Sequence, residues 1–256
     1  MNNEQWQAFT KFRSEFKAKC QEWNTQFAQA LEPLQKEAAK TDTPEYPLET
    51  GIVYNKALDE LTEQSDIRLI VIGDNPGKDE QLAKNNRYLV GQSGKIAAGF
   101  FAKNPEFKTD FRKNAIILNK TPVHTAKTKH IKHLLKNGGE SIQKLLHDSQ
   151  EYMAKKTAEL HQNLLSCAKT EQEKPELWLV GYAELKDKGL FMHYKNTLKA
   201  SYTKENWQNV FVFQHFSMNR FLIDLKEFQE KTCESSKTKV VHALGELHKN
   251  EIFGSF

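Results

Sequence analysis

Four side chains join a hydrogen-bonding or titratable group to a place just beyond a short apolar run: Asp74, Asn75, Asn119 and His215. An aspartate can take a proton or hold a water. An asparagine amide can read a planar polar ligand, but it cannot serve as a base. A neutral histidine can donate to a developing negative charge. Asp74 and Asn75 stand in Gly73-Asp74-Asn75-Pro76-Gly77, directly after Leu69-Ile70-Val71-Ile72. Asn119 closes the run Asn114 to Asn119, NAIILN, and His215 follows Asn209 to Phe213, NVFVF. Each group also has an ordinary explanation. Asp, Asn, Pro and Gly are common turn residues, and a lone histidine is more often structural than functional.

The elements that must position these groups follow from the apolar pattern. Continuous short apolar runs read as strands buried on both faces of a parallel sheet. Glu176 to Gly181, ELWLVG, is a further such run. Parallel strands point one way, and in an open α/β sheet ligands bind beyond their carboxyl ends. The four polar groups are therefore expected on one rim. Trp6, Phe9, Phe12, Phe16, Cys20, Trp23, Phe27, Leu31 and Leu34 recur at helical spacing. They predict one long helix over residues 3 to about 40, interrupted or bent near Pro33. An extended piece is expected at 51–54 and a helix at 56–63. A turn entering a helix is expected at 90–101, with Ser93 as candidate N-cap. Further helices are expected at 141–168 and 221–228, the latter the last amphipathic one, with weak helicity at 240–247. The alternation predicts an α/β fold: three layers, α/β/α, around a central, mainly parallel four-stranded sheet. Residues 1–45 form a helix packed on the core, and residues 46–256 form the main domain.

The chain has 256 residues, enough for one large domain. Its formal charge of +4 permits a polyanionic partner without demanding one. The segment 120–136 concentrates Lys120, His124, Lys127, Lys129, His130, Lys132, His133 and Lys136 with no acid. It reads equally as a solvated lysine-rich loop or as a phosphate-neutralising surface. No run of 18 apolar residues predicts a membrane span, and the N-terminus lacks a secretory pattern. Cys20, Cys167 and Cys233 lie far apart, so neither a metal site nor a disulfide framework is expected, and a reducing cytoplasm fits.

The order of these motifs resembles the uracil-DNA glycosylase superfamily. Gly73-Asp74-Asn75-Pro76-Gly77 looks like its first motif. The third position there is Asp in the main branch and Asn in the mismatch-specific and single-strand-selective branches, which share the Asn-Pro-Gly seen here. Leu89-Val90-Gly91-Gln92-Ser93-Gly94 is similar to the Phe-Val-Gly-x-Ala-Gly of the iron–sulfur branch. Ile116-Ile117-Leu118-Asn119 looks like the uracil-reading strand, and His215-Phe216-Ser217 resembles the His-Pro-Ser motif. The likeness runs in short blocks from about residue 67 to 220. It departs from the pattern where Leu89 stands for the stacking aromatic, with Tyr88 beside it, and where Phe216 replaces proline. The iron–sulfur cysteines are absent, so no cofactor is expected.

The resemblance implies a monomeric DNA glycosylase that flips a damaged base, uracil first of all, from the stack and hydrolyses its N-glycosidic bond. The partner is then DNA carrying uracil or another deaminated base. Asn119, Tyr88 and Leu89 would receive the base. His215 would stabilise negative charge on O2, and Asn75, or Asp74 beside it, would position the water. Gly91, Ser93, Lys120, Lys127, Lys129, Lys132, Ser217, Met218, Asn219 and Arg220 would contact DNA, with Met218 or Arg220 filling the vacated stack. A variant branch traps the sugar through a histidine after the Asn strand, where His124, His130 and His133 lie. Two rivals stand beside this reading: a DNA-binding relative without glycosylase activity, and a nucleotide-binding α/β enzyme. The second lacks both GxxxxGK[ST] and GxGxxG.

Overall fold

The first helix, α1 (Asn3–Ala39), begins on a capping box. The Asn2 side chain accepts from Gln5 N–H at 3.0 Å, and Gln5 Oε1 accepts from Asn2 N–H at 3.2 Å. Phe9, Phe12, Phe16, Cys20, Trp23 and Leu31 form its buried stripe, with Trp6, Phe27 and Leu34 half-buried at the margin. The helix is not interrupted at Pro33; it continues to Ala39. A proline inside a helix costs about 3 kcal/mol. Anchors on both sides offset that: Leu31 and Ala39 are buried, and the Gln35 amide donates to Gly51 O at 3.0 Å and His124 O at 2.7 Å.

This computed structural model describes residues 1–232 and 234–256. Cys233 therefore lies outside the described residues. The strands are β1 (Leu69–Gly73), β2 (Ala115–Asn119), β3 (Glu176–Val180) and β4 (Val210–Phe213). They form one all-parallel sheet in the order β2-β1-β3-β4. β1 and β2 are buried throughout, as continuous apolar strands of a parallel sheet covered on both faces should be. Gly73 pairs with Asn119 at the carboxyl end of the β1–β2 register.

The helices that follow are α2 (Gln92–Lys103), α3 (Ile131–Asn137), α4 (Gly139–Ser166), α5 (Met192–Ala200), α6 (Lys204–Trp207), α7 (Arg220–Thr232) and α8 (Lys237–Phe253). α1 packs on α3 and α4, α4 on α5, and α8 on β4. Together they give the three-layer α/β fold. An aromatic cluster of Phe100, Phe101, Trp178, Phe213 and Phe221 locks α2 and α7 onto β3 and β4. Expected and observed elements differ at further places, and α3, α5 and α6 were not expected. Residues 56–63 make only a 3-10 turn, Lys56–Glu60, and 51–54 contributes a single antiparallel bridge, Ile52 to Val123. Ser93 is inside α2, whose N-cap is Gly91. The weak tail pattern becomes the firm helix α8, so α7 is not the last; the β4 face supplies the apolar surface that α8 needs.

Sequence order fixes where a ligand can enter. The chain leaves β1 toward β2 on one side, and leaves β3 toward β4 on the other. The crevice between the ends of β1 and β3 is the topological switch point of the sheet.

Candidate active site

Two glycines make room at that switch point. A Cβ on Gly73 would stand 2.4 Å from Asn119 Oδ1, so the Asn119 side chain lies over the end of β1. Gly181, just past β3, has φ +95, and a Cβ there would stand 2.3 Å from Asp74 Oδ1 and 3.1 Å from Lys120 Nζ. Only glycine fits both the conformation and the space.

Lys120 fills the crevice. Its ammonium donates to Asp74 Oδ1 at 2.5 Å and to Val180 O at 2.5 Å, with Gly73 O at 3.4 Å and the Phe191 ring centroid at 5.0 Å. The side chain thus runs from the end of β2, across β1, to the end of β3. It is 0% exposed. Burial pushes its pKa down, against the pull of Asp74. A fully buried lysine is rare unless paired, and Asp74 provides the pair. Lys120, expected from the sequence to contact DNA, is instead buried and paired with Asp74, an internal cation of the site.

The expected polar groups do converge. Asn119 is 1% exposed, and its Nδ2 has no hydrogen-bond partner. An orphaned buried donor is costly, and a carbonyl-bearing ligand would satisfy it. The Asn75 amide donates to Thr125 Oγ1 at 2.8 Å and, more weakly, to Val123 O and Pro76 O at 3.3 Å. Its Oδ1 is buried without a partner, an acceptor for a water. Of the two candidates at this turn, Asp74 has one carboxylate oxygen held by Lys120, while Asn75 keeps a free acceptor.

His215 joins them from the end of β4. Its Nδ1 accepts from Ser217 N–H at 3.1 Å and faces Ser217 Oγ at 2.8 Å. Acceptance from a backbone N–H leaves the neutral ring's proton on Nε2. Burial lowers the His215 pKa; Asp74 pulls it up and Lys120 pushes it down. The imidazole is neutral at pH 7, and the cluster at the switch point acts on it electrostatically.

Other expected residues stand apart from this group. Tyr88 is buried in the core, and its hydroxyl donates to Val53 O at 2.6 Å. It offers no free face to a stacked base. Leu89 is buried too, at φ +53, with its N–H on Glu80 Oε1 at 3.0 Å and its carbonyl bonded by Arg112. Gly91 and Ser93 open α2. Lys132 is exposed; Lys127 and Lys129 reach the surface but are ion-paired to Asp42. Ser217 holds His215, while Met218, Asn219 and Arg220 project at the surface. Met218 is 70% exposed, and both Met218 and Asn219 take positive φ. Of the histidines after β2, His124 is buried with Nδ1 on Pro76 O at 2.8 Å, and burial pushes its pKa down to about 4. His130 binds Asp42, and His133 meets Asn137.

Three supporting residues were not anticipated. Glu80 accepts from Gly77 N–H at 3.2 Å and from Leu89 N–H, tying the turn after β1 to the loop before α2. Burial raises its pKa to about 7. Gln81 is buried and ties residues 47–50 to the same turn. Gln35 ties α1 to Gly51 and His124. The one available signal was Glu80 three positions after a turn glycine, the spacing of a local backbone cap.

Among the described residues no group of three or more His, Cys, Asp or Glu side chains is placed to hold a metal ion. Among them, too, no helix is long and apolar enough to cross a membrane. No protein-family model, no curated protein and no solved structure matches this chain.

Proposed function

We propose that this protein is a DNA glycosylase of the uracil-DNA glycosylase kind, acting as a cytoplasmic monomer on uracil or another deaminated base. The observation that carries the reading is Asn119: a buried amide donor without a partner, on a rigid strand end beside Asn75 and Asp74. A flipped uracil would accept from Asn119 Nδ2 through O4. As the N-glycosidic bond lengthens, the base takes the bonding electrons and charge grows on O2. His215 Nε2–H is the donor for that charge, and the neutral imidazole gives this hydrogen bond while keeping its proton. A water on Asn75 Oδ1 adds to C1′ as the base departs. Its proton passes to solvent or to the free oxygen of Asp74. Asp74, held by Lys120, faces the positive sugar with a fixed carboxylate. Met218, exposed on the loop that also holds His215, would fill the gap in the stack.

One observation favours a second reading, DNA binding without base excision. The Lys120 ammonium occupies the switch-point crevice and Tyr88 is withdrawn into the core, so a base would find its space filled and no aromatic face to stack on. Single- and double-stranded oligonucleotides carrying uracil, hypoxanthine or xanthine separate the two readings. The glycosylase reading expects alkali-labile sites from at least one of them. It also expects His215→Ala to slow single-turnover release about a hundredfold while binding changes little. Binding without release supports the second reading, and neither binding nor release sinks both.

A further inference from the structure

Two surface cations beside the candidate site share one carboxylate. Asp42, in the turn after α1, places Oδ2 at 2.6 Å from Lys129 Nζ and 3.1 Å from Lys127 Nζ. Its Oδ1 lies 3.0 Å from His130 Nε2, and Lys127 also donates to the Asp42 carbonyl at 3.3 Å. Lys129, then Lys127 and His130, hold the Asp42 carboxyl well below the usual carboxylate range. Burial lowers the His130 pKa, so at neutral pH its ring meets Asp42 as an N–H donor. Two ammonium groups and an imidazole N–H around one oxyanion are the surroundings a phosphate diester would also receive.

The cradle is fixed relative to the strand ends. The Asn75 amide donates to Thr125 Oγ1 at 2.8 Å, and that hydroxyl donates to Lys127 O at 2.9 Å. Thr125 N–H and His124 Nδ1 both bond Pro76 O. Lys127 is therefore tied by two hydrogen bonds to the turn that carries Asp74 and Asn75. Its ion pair is exposed, and exposed pairs are weak and screened by salt, so a competing oxyanion can take the place of the carboxylate.

We propose that Lys127, Lys129 and His130 form a backbone-phosphate site, and that Asp42 is its resident stand-in, displaced when a nucleic-acid phosphate arrives. The inference rests on the reading above that this chain binds DNA. It adds a mask: in the free protein Asp42 already balances the charge of the two lysines, so binding draws on them only by exchanging one anion for another.

The test compares wild type with Asp42→Asn on a short single-stranded oligonucleotide, by fluorescence anisotropy over a range of salt. Asp42→Asn should bind roughly fivefold tighter at low salt, with a log–log salt slope steeper by up to about 0.7 for each lysine freed. The gain should vanish when Lys127→Ala and Lys129→Ala are added. Unchanged or weaker binding in a variant with a native circular dichroism spectrum overturns the proposal. So does a gain that survives loss of both lysines, or no binding by either protein. On wild type, the oligonucleotide should shield Lys127 and Lys129 from amine acylation read by mass spectrometry; equal labelling with and without it also overturns the proposal. Uracil release is scored separately. Release with no Asp42 effect sinks only the mask, and an Asp42 effect without release sinks only the glycosylase reading.

Discussion

The strand-end cluster and the loop after β4 both act on His215, and they are built in opposite ways. At the switch point, Lys120 and Asp74 are buried and paired, and two glycines let them approach. After β4, Met218 and Asn219 hold left-handed backbone in open solvent. Non-glycine residues there carry strain of order 1–3 kcal/mol, which persists only where the surroundings impose it. The cluster sets the charge state of His215 through burial and neighbouring charges. The loop sets its tautomer through Ser217. One imidazole thus receives its proton affinity from a rigid region and its orientation from a strained, exposed one.

The hardest test of that contrast removes the internal cation. Lys120→Met leaves Asp74 beside carbonyl oxygens without a counter-charge. Breaking a buried pair in this way typically costs about 3–5 kcal/mol. The double change Lys120→Met with Asp74→Asn should recover much of the loss, because the uncompensated charge goes with its partner. Urea unfolding of the two singles and the double measures it. A single-variant loss below about 1 kcal/mol would mean the cluster is not the rigid half of the comparison.

Asn119 belongs to the rigid half but has an unsatisfied group, so its changes sharpen what the cluster is for. Asn119→Asp replaces the orphan Nδ2 donor with an acceptor. If the proposed function holds, two acceptors then oppose each other at O4 of uracil in a dry site, a penalty of roughly 1–3 kcal/mol. Cytosine's exocyclic amine would meet that acceptor favourably. The ratio of excision rates for uracil over cytosine, or of binding constants, should fall about tenfold or more. Asn119→Ala should lose discrimination without a new preference. A ratio untouched by Asn119→Asp removes Asn119 as the base reader.

How far the sequence led differs between the two regions. Strands β1 to β4 were legible because a parallel strand covered on both faces is apolar on both and needs no periodicity to be seen. The placement of Asp74, Asn75, Asn119 and His215 at strand ends was legible because such strands end together. Lys120 was misread: a lysine inside a basic run looks solvated, and its burial depends on Val180 O and Gly181, sixty positions away. Tyr88 was misread for the same kind of reason, since Val53 O lies in a distant segment. α8 looked weak because its helix is stabilised by the face of β4 rather than by its own pattern. Long-range partners decided each case, and a single sequence does not display them.

Between the two extremes stands Glu80, whose pH response tests how firmly the rigid half is closed. Its folded pKa is raised by burial from an ordinary 4.5 to about 7. Between those values the folded state keeps a proton that the unfolded chain has lost. Stability from this group is therefore complete below about 4.5, falls as pH rises toward 7, and is lost above it. Wild type should show a falling melting temperature across that window, and Glu80→Gln, which cannot ionise, a flatter profile. Parallel profiles would mean water reaches Glu80 and the turn after β1 is less closed than its neighbours.

The smallest expected change in stability lies in the strained half. Met218 sits at φ 53 and is 70% exposed, so its side chain contributes little burial to lose. Met218→Gly relieves the left-handed penalty but loosens the unfolded chain, and the two effects oppose each other. The net change should stay within about 1 kcal/mol in either direction. If the loop serves DNA, the same variant should lose affinity for a duplex, because filling a vacated stack needs an apolar side chain held out in solvent. Met218→Leu should keep that affinity, since it preserves the apolar bulk. A stable Met218→Gly protein with weakened duplex binding, rescued by leucine, would show strain maintained for contact rather than for folding. A variant destabilised by clearly more than 1 kcal/mol would place Met218 among the structural residues, and the division between a rigid site and a strained loop would fail at its most exposed point.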